Sequence, residues 1–422
     1  MIKAWMSRSV AALALTLSIG VGAARAQVVE IEYWQYTFPQ RVKAINELIT
    51  KFQQANPQIR VKHTDLPYND YRTRIAAALP AGQGPDVMQL FYGWLGDYTR
   101  AKLLQPLPAD VFPPARIDAE FFPMVREMKV DGQYYALPTA VRSLALFWNK
   151  RLFREAGLDP EKPPQTLDEL VEMAKRLTRR DAGGNLTQAG MAVDPAAQDH
   201  HWWREVLVRQ FGGTPYSADG RTVTYTSPQG LAATRFFADF FTTHRVAEVG
   251  FMTDQVTQFR SSRAALTIDG SFRLAAFDGQ RGLEYGVTTL PTHNGIASNF
   301  GSYWVNAITT KATGAKRDAA ARFLAYLVSP EAMELWLREV GELPARVEVA
   351  RTPANANHPK YGPFIRGLET AVATNFVDET AQRQIMIDFV DRLKIAGASV
   401  EAALAEAARA EQALLDRANS PR

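Results

Sequence analysis

Three observations predict an α/β fold for this chain. Short apolar runs alternate with amphipathic helical stretches, and the first of them fall in a β-α-β-α-β order. At 422 residues the chain is also too long for one hydrophobic core, which calls for two or three domains. Composition agrees, since 46% hydrophobic and 22% charged residues describe a folded globular protein and not a disordered one.

Val28 to Trp34 is rich in β-branched and aromatic residues and predicts the first strand. A helix follows over Gln40 to Asn56, where Val42, Ile45, Leu48, Ile49 and Phe52 recur at helical spacing until Asn56-Pro57 stops them. Ile59 to Thr64 predicts the second strand and Tyr68 to Leu79 the second helix. The turn Gly82-Gln83-Gly84 leads into a third strand over Pro85 to Leu90, and helix resumes over Phe91 to Ala101. Such a unit builds a parallel sheet, whose ligands lie at the carboxyl ends of the strands. Those ends are aromatic here. Trp34, Tyr36 and Phe38 follow the first strand, Tyr68 and Tyr71 the second, and Phe91, Tyr92, Trp94 and Tyr98 the third. Core packing accounts for any one of them, but three clusters after three successive strands point to a stacking cleft, with Trp34, Tyr36, Tyr71, Tyr92 and Trp94 as candidate ligand contacts. Further on, Thr166 with Glu169 makes a capping box for a helix over Thr166 to Arg180, and Asp199-His200-His201-Trp202-Trp203-Arg204 opens an apolar helix.

Residues 1–26 read as a secretory signal peptide: Lys3 and Arg8 form the positive segment, Val10 to Ala24 the apolar segment, and Ala24-Arg25-Ala26 the cleavage site. An apolar run of about fifteen residues is short for a membrane span, which needs about twenty. The expected location is the periplasm. The leader holds three basic residues and no acid, so the formal charge of +4 falls to +1 in the mature protein, too little to argue for nucleic acid.

Several chemistries are unsupported. Without cysteine there is no disulfide, thiolate metal site or lipid acceptor. Adjacent histidines on a helix diverge by about a hundred degrees, and His-Glu-x-x-His is absent, so His200 and His201 are not expected to bind metal. Calcium at an oxygen-rich loop is the one ion left open. Gly-x-Ser-x-Gly, Gly-x-Gly-x-x-Gly and phosphate-loop motifs are missing, and no motif assigns the paired carboxylates of a glycosidase. Neither an enzyme nor a cofactor is expected.

Five stretches carry a resemblance. Tyr134 to Asn149, continued by Lys150 to Leu158 and by Pro163-Pro164-Gln165-Thr166-Leu167-Asp168-Glu169-Leu170, and later Ala264 to Phe272, Glu284 to Pro291 and Gly341-Glu342-Leu343-Pro344, resemble in order and spacing the landmarks of periplasmic sugar-binding proteins of ABC importers. That family is maltose-binding-like and also contains glycerol-3-phosphate binders. The resemblance runs from about Val28 to the C-terminal helices. It implies a two-lobed periplasmic binding protein fold, with the ligand cleft between lobes and three interlobe crossings near Pro138 to Val141, Gly286 to Pro291 and Glu342 to Pro344. Lobe 1 is then 27–138 with 291–342, and lobe 2 is 139–290 with 343–422.

The resemblance also implies site residues. Gly270-Ser271-Phe272 keeps the spacing of a Gly-x-Trp pattern whose aromatic stacks on a sugar face, with phenylalanine for tryptophan, and Trp202 matches an aromatic wall position. Trp203 belongs beside it or in the core. Polar partners for sugar hydroxyls are Asp65, Asp86, Arg142, Ser143, Asp199, Asp269 and Arg346, although Asp86 serves equally as a turn-stabilising carboxylate. Where maltodextrin binders carry a further stacking aromatic near the C-terminus this chain has Gln382, Arg383 and Gln384, which favours a mono- or disaccharide. Gly301-Ser302-Tyr303-Trp304 offers a different wall. The expected function is capture of a small carbohydrate by lobe closure and delivery to a membrane permease, by a monomer. The alternative ligand is glycerol-3-phosphate or a glycerophosphodiester.

Overall fold

A computed structural model describes residues 28–420 except 375, 395 and 396. The expected signal peptide lies outside the described residues. Two mixed sheets organise the chain, each covered by helices, as the α/β reading requires.

The first sheet contains β1 (Val29–Tyr36), β2 (Ile59–Leu66), β3 (Val87–Phe91), β4 (Ala136–Arg142), β10 (Ser302–Ile308) and β11 (Leu343–Pro344), in the order β11-β4-β10-β3-β1-β2. As expected, β1 is parallel to β2 and β3. The late strand β10 runs antiparallel between β3 and β4, which the opening of the chain could not announce. Helix α1 (Pro39–Ala55) turns Ala44, Ile45, Leu48, Ile49 and Phe52 inward, and Phe52 meets Phe323 of α6 (Ala315–Leu327) at 5.1 Å over Tyr33. Helix α2 (Tyr68–Ala78) links β2 to the turn before β3.

The second sheet contains β5 (Leu144–Asn149), β6 (Arg179–Arg180), β7 (Leu186–Ala192), β8 (Ala264–Gly270) and β9 (Tyr285–Thr288), in the order β9-β5-β8-β7-β6. Helix α3 (Leu167–Leu177) has the capping box and the buried face read from sequence. It stops at Leu177 and not at Arg180, because Thr178 turns extended, its hydroxyl returns to Ala174 O at 2.8 Å, and the two arginines pair as β6. Gly190 is needed there, since a Cβ would lie 1.9 Å from Ala174 O where α3 packs onto β7. Helix α4 spans 199–210 and is π-helical over Trp202–Leu207. Helix α5 (Pro228–Asp239), α7 (Pro330–Val340), α8 (Glu379–Lys394) and α9 (Val400–Asn419) complete the layers. Among the described residues no helix is long and apolar enough to cross a membrane.

The chain passes from the first sheet to the second at Ser143, between β4 and β5, and returns between Thr288 and Ser302. Asn299 joins these two passages: its Oδ1 accepts from Leu144 N and its Nδ2 donates to Leu144 O, both at 2.9 Å. Gly367 permits this, because a Cβ there would sit 2.5 Å from Asn299 Nδ2.

Candidate functional site

At the carboxyl ends of β1 and β3 the sheet gathers aromatic rings around Trp304. β10 is antiparallel to β3 and sets Trp304 directly opposite Phe91. Tyr36 lies 4.3 Å from Trp304, Trp94 5.4 Å, Phe91 5.8 Å and Tyr68 6.2 Å, centroid to centroid. Tyr68 is 49% exposed and Phe91 and Trp34 are half-buried, so this bowl has open faces at its rim. Arg41 lies over the Tyr36 and Trp304 rings and Arg72 over Trp94, at 5.0, 5.6 and 5.1 Å.

From the second sheet, β8 ends in Asp269-Gly270 and a tight turn carries Ser271 and Phe272 toward the bowl. The Phe272 ring folds back over Gly270, where a Cβ would meet it at 2.2 Å, so only glycine fits. Its face meets the guanidinium of Arg142 at 4.7 Å and that of Arg273 at 5.0 Å. Arg142 is the last residue of β4, and Nε donates to Glu342 Oε1 at 2.7 Å. Arg41 Nη2 reaches the same oxygen at 2.5 Å, and Trp336 Nε1 donates to Oε2 at 2.9 Å. Thus one buried carboxylate ties α1, α7 and the passage at Arg142.

Burial by itself would raise the Glu342 carboxyl, but the charges of Arg142 and Arg41 and the hydrogen bonds of Arg41 and Trp336 hold it down at about 2. A depressed carboxyl stabilises the fold above its unfolded value and loses that contribution as pH falls toward the folded one. Between pH 4.5 and about 2 the fold should therefore lose about 3 kcal/mol from this group. Denaturant midpoints measured across that range check this, and a Glu342→Gln variant with an equally steep acid slope would remove Glu342 as the cause.

Beyond the bowl lies a cavity of about 1100 Å³, walled by Gly93, Gly96 and Arg100 after β3 and by Arg209, Tyr216 and Asp219 after α4. Phe376 joins the two spaces, because it lines the cavity and also stacks against Phe91 at 6.3 Å.

Of the sequence candidates, Tyr36, Trp94, Arg142 and Phe272 come together at the bowl, with Trp34 on the same strand end. Asp65 ends β2 beside it and accepts from Thr37 Oγ1 at 2.6 Å. Asp269 stands under Phe272, accepting from Gly270 N at 2.7 Å and Arg273 Nε at 2.8 Å. Ser271 donates to Gly341 O and Ser143 to Phe364 O, each at 2.7 Å and each buried. The others pack elsewhere. Tyr71 is buried, with its hydroxyl 2.9 Å from Trp34 O, pinning α2 to β1. Tyr92 and Tyr303 stack on each other at 4.6 Å below the bowl, beside Gly301, whose Cβ would strike Met124; Ser302 is half-buried at the start of β10. Asp86 precedes β3, at the amino end of the sheet, where it accepts from Glu32 N at 2.9 Å. Arg346 is held by Glu120 and by Val328 O.

Trp202 and Trp203 are wholly buried. Trp202 packs on Phe237 and Phe240, while Trp203 stacks on Phe389 and donates to Thr234 Oγ1 at 3.0 Å. The helix is covered on every side here: Asp199, His200 and His201 and all six residues of the π turn are buried, so both neighbours lie inside. Asp199 is buried at the head of the same helix, and burial pushes its carboxyl well up. Burial pushes the His200 and His201 imidazoles well down, and His201 stacks on Phe300 at 3.9 Å. Among the described residues no group of three or more His, Asp and Glu is placed to hold a metal ion.

Residues 47–363 match the family described as bacterial extracellular solute-binding protein. The chain belongs to this family. Solute-binding proteins are transport components and not enzymes. Among relatives, the maltotriose-binding protein of Pyrococcus abyssi is 25% identical over 338 residues, 78% of this chain and 69% of its own. The sn-glycerol-3-phosphate-binding periplasmic protein UgpB of Salmonella typhimurium is also 25% identical, over 75% of this chain and 74% of its own. In structure, the cyclic alpha-maltosyl-1,6-maltose binding protein of Arthrobacter globiformis superposes with a TM-score of 0.79 at 22% identity, covering 92% of this solute-binding protein and 99% of that chain. That likeness places the two-lobed periplasmic binding protein fold on this chain.

Three members of the candidate site, Arg41, Glu342 and Phe376, were not among the ligand contacts read from the sequence. Arg41 has a local signal, since it stands four residues before Ile45 and seven before Leu48 and so puts a charge on the buried stripe of α1. Glu342 and Phe376 have none, because each acts through residues distant in the chain.

Proposed function

We propose that this chain is the periplasmic solute-binding component of an ABC importer, which captures a neutral carbohydrate of one or two rings in the bowl and hands it to a membrane permease. The lobes are taken as 27–138 with 291–342 and 139–290 with 343–422, the first limit moved to Ser143 where β4 ends and the last moved past Pro344, because β11 pairs with β4 in the first sheet.

One observation carries the choice of ligand: aromatic faces surround arginines that are already matched by acids. Arg41 and Arg142 share Glu342, Asp269 holds Arg273 at 2.8 Å and Asp97 faces Arg72 at 3.9 Å. Asp97 lies nearer still to Arg100, at 2.6 Å, so each of these arginines has a carboxylate beside it. Pyranose C–H faces pack on aromatic rings, and paired side chains still offer lone pairs and N–H groups to hydroxyls. An anionic ligand finds no free cation of this set. Arg142 and Arg346 could serve either a sugar or a phosphate; the first is paired with Glu342, and Arg346 is spent on Glu120.

Phe272 comes from the second lobe and the Trp304 cluster from the first, so a ligand between them favours the arrangement that brings both into contact. Binding then shifts the population toward closure, and the permease reads the closed shape. The leader read from the sequence fits export, and the protein is taken to act as a monomer without metal or cofactor.

A thermal-shift panel of mono- and disaccharides, sn-glycerol-3-phosphate and glycerophosphocholine tests the reading. A neutral sugar should raise the melting temperature and shrink the radius of gyration in solution scattering. Stabilisation by the phosphate compounds alone would defeat it.

A further inference from the structure

We propose that Glu342 sets the charge preference of the cleft, occupying the hydrogen-bonding edge of Arg142 so that the bowl takes neutral ligands and refuses phosphate-bearing ones. This rests on the reading of the bowl as the ligand site.

Arg142 is the member of the buried group that a ligand can reach. Its side chain is 21% exposed, against 1% for Arg41 and 4% for Glu342. Its guanidinium lies over the Phe272 ring, so a molecule stacked on Phe272 is a neighbour of Arg142. A guanidinium recognises phosphate by a planar fork of two N–H groups. Here the edge made by Nε and Nη2 is filled, because both donate to Glu342 Oε1, and the Tyr36 hydroxyl is hydrogen-bonded to the same guanidinium. Glu342 has no freedom to swing aside, since Arg41 and the Trp336 indole hold it from the side away from the cleft. The aromatic faces around Arg41, from Tyr36, Phe38 and Trp304, keep that second cation behind the bowl wall.

The test measures binding of inorganic phosphate and sn-glycerol-3-phosphate by calorimetry to the wild type, Glu342→Gln and Glu342→Asp. Replacing the carboxylate by a neutral amide leaves the Arg142 charge uncompensated and should tighten phosphate binding by Glu342→Gln on the order of ten- to a hundredfold, with an affinity that falls as salt is added. Glu342→Asp keeps the carboxylate and should refuse phosphate as the wild type does. A folded Glu342→Gln protein with no gain overturns the proposal, as does a wild type that binds phosphate as tightly as the variant. If Glu342→Gln leaves Arg41 buried without a partner and fails to fold, the double variant Arg41→Met, Glu342→Gln removes that charge while leaving Arg142 free. It must gain phosphate binding, and a folded double variant without the gain also overturns the proposal. Failure of the underlying reading looks different: no neutral sugar then stabilises the wild type, whatever the variants do with phosphate.

Discussion

Phe272→Ala is expected to weaken carbohydrate binding about ten- to hundredfold while barely moving the melting point of the ligand-free protein. The ring is half-buried, with the Arg142 and Arg273 guanidinium groups 4.7 and 5.0 Å from its centre, and is not inside the packed core. Loss of one stacking face and its apolar contact is worth about 1 to 3 kcal/mol in binding. A phenylalanine of the core would behave in the opposite way, costing about 3 to 5 kcal/mol of stability when truncated. Titration and melting of the same variant separate the two. A sharp drop in ligand-free stability with unchanged affinity would return Phe272 to a packing role and take the second lobe's aromatic out of the site.

Glu411→Ala should give the largest loss of stability, about 3 to 5 kcal/mol, equivalent to roughly 5 to 10 °C in the melting of a lobe of this size. Glu411 of α9 is fully buried and accepts from Arg204 Nη1 at 3.1 Å, from the Tyr225 hydroxyl at 2.8 Å and from Gln382 Nε2 at 2.8 Å, with Tyr216 also bonded to it. Arg204 is itself fully buried and shares Glu205 with Arg209. Removing one acid therefore strands a guanidinium away from water, and the penalty is mostly that of the unpaired charge. The double replacement Arg204→Met, Glu411→Leu should recover a good part of the loss. A single variant that melts within a degree of the wild type would mean that Arg204 is served by Glu205 alone.

The parts of the site that follow directly from strand order were legible in the sequence. Tyr36, Phe91 and Trp94 end or follow parallel strands, and a ligand lies where such strands end. Asp86 failed the same rule, because it precedes its strand and so falls at the far end of the sheet. Trp203 fell in the core, one of the two places the sequence allowed it, whereas the wall role of Trp202 came from the resemblance alone and gave way to a helix buried on every side. Glu342 looked like a landmark in a turn. Its role comes from Arg41 and Arg142, 301 and 200 residues away in the chain, and no local pattern encodes such a meeting. Phe376 reaches the cavity and the Phe91 ring from a segment with no periodicity to betray it.

The amide of Asn299 gives the junction between the sheets a mechanical character. By bonding both backbone groups of Leu144 it laminates two separate strands of chain, in the way that glue turns two thin laths into a stiffer beam. A laminated strip resists shear between its layers, so neither passage slides along the other when the sheets change their relative angle. If the lobes close as proposed, bending would be forced outward, into the few dihedrals at the ends of the glued length, and the two sheets would swing as rigid plates about one shared line. A device built this way reports a bound molecule as a change of angle and not as a loosening of either plate.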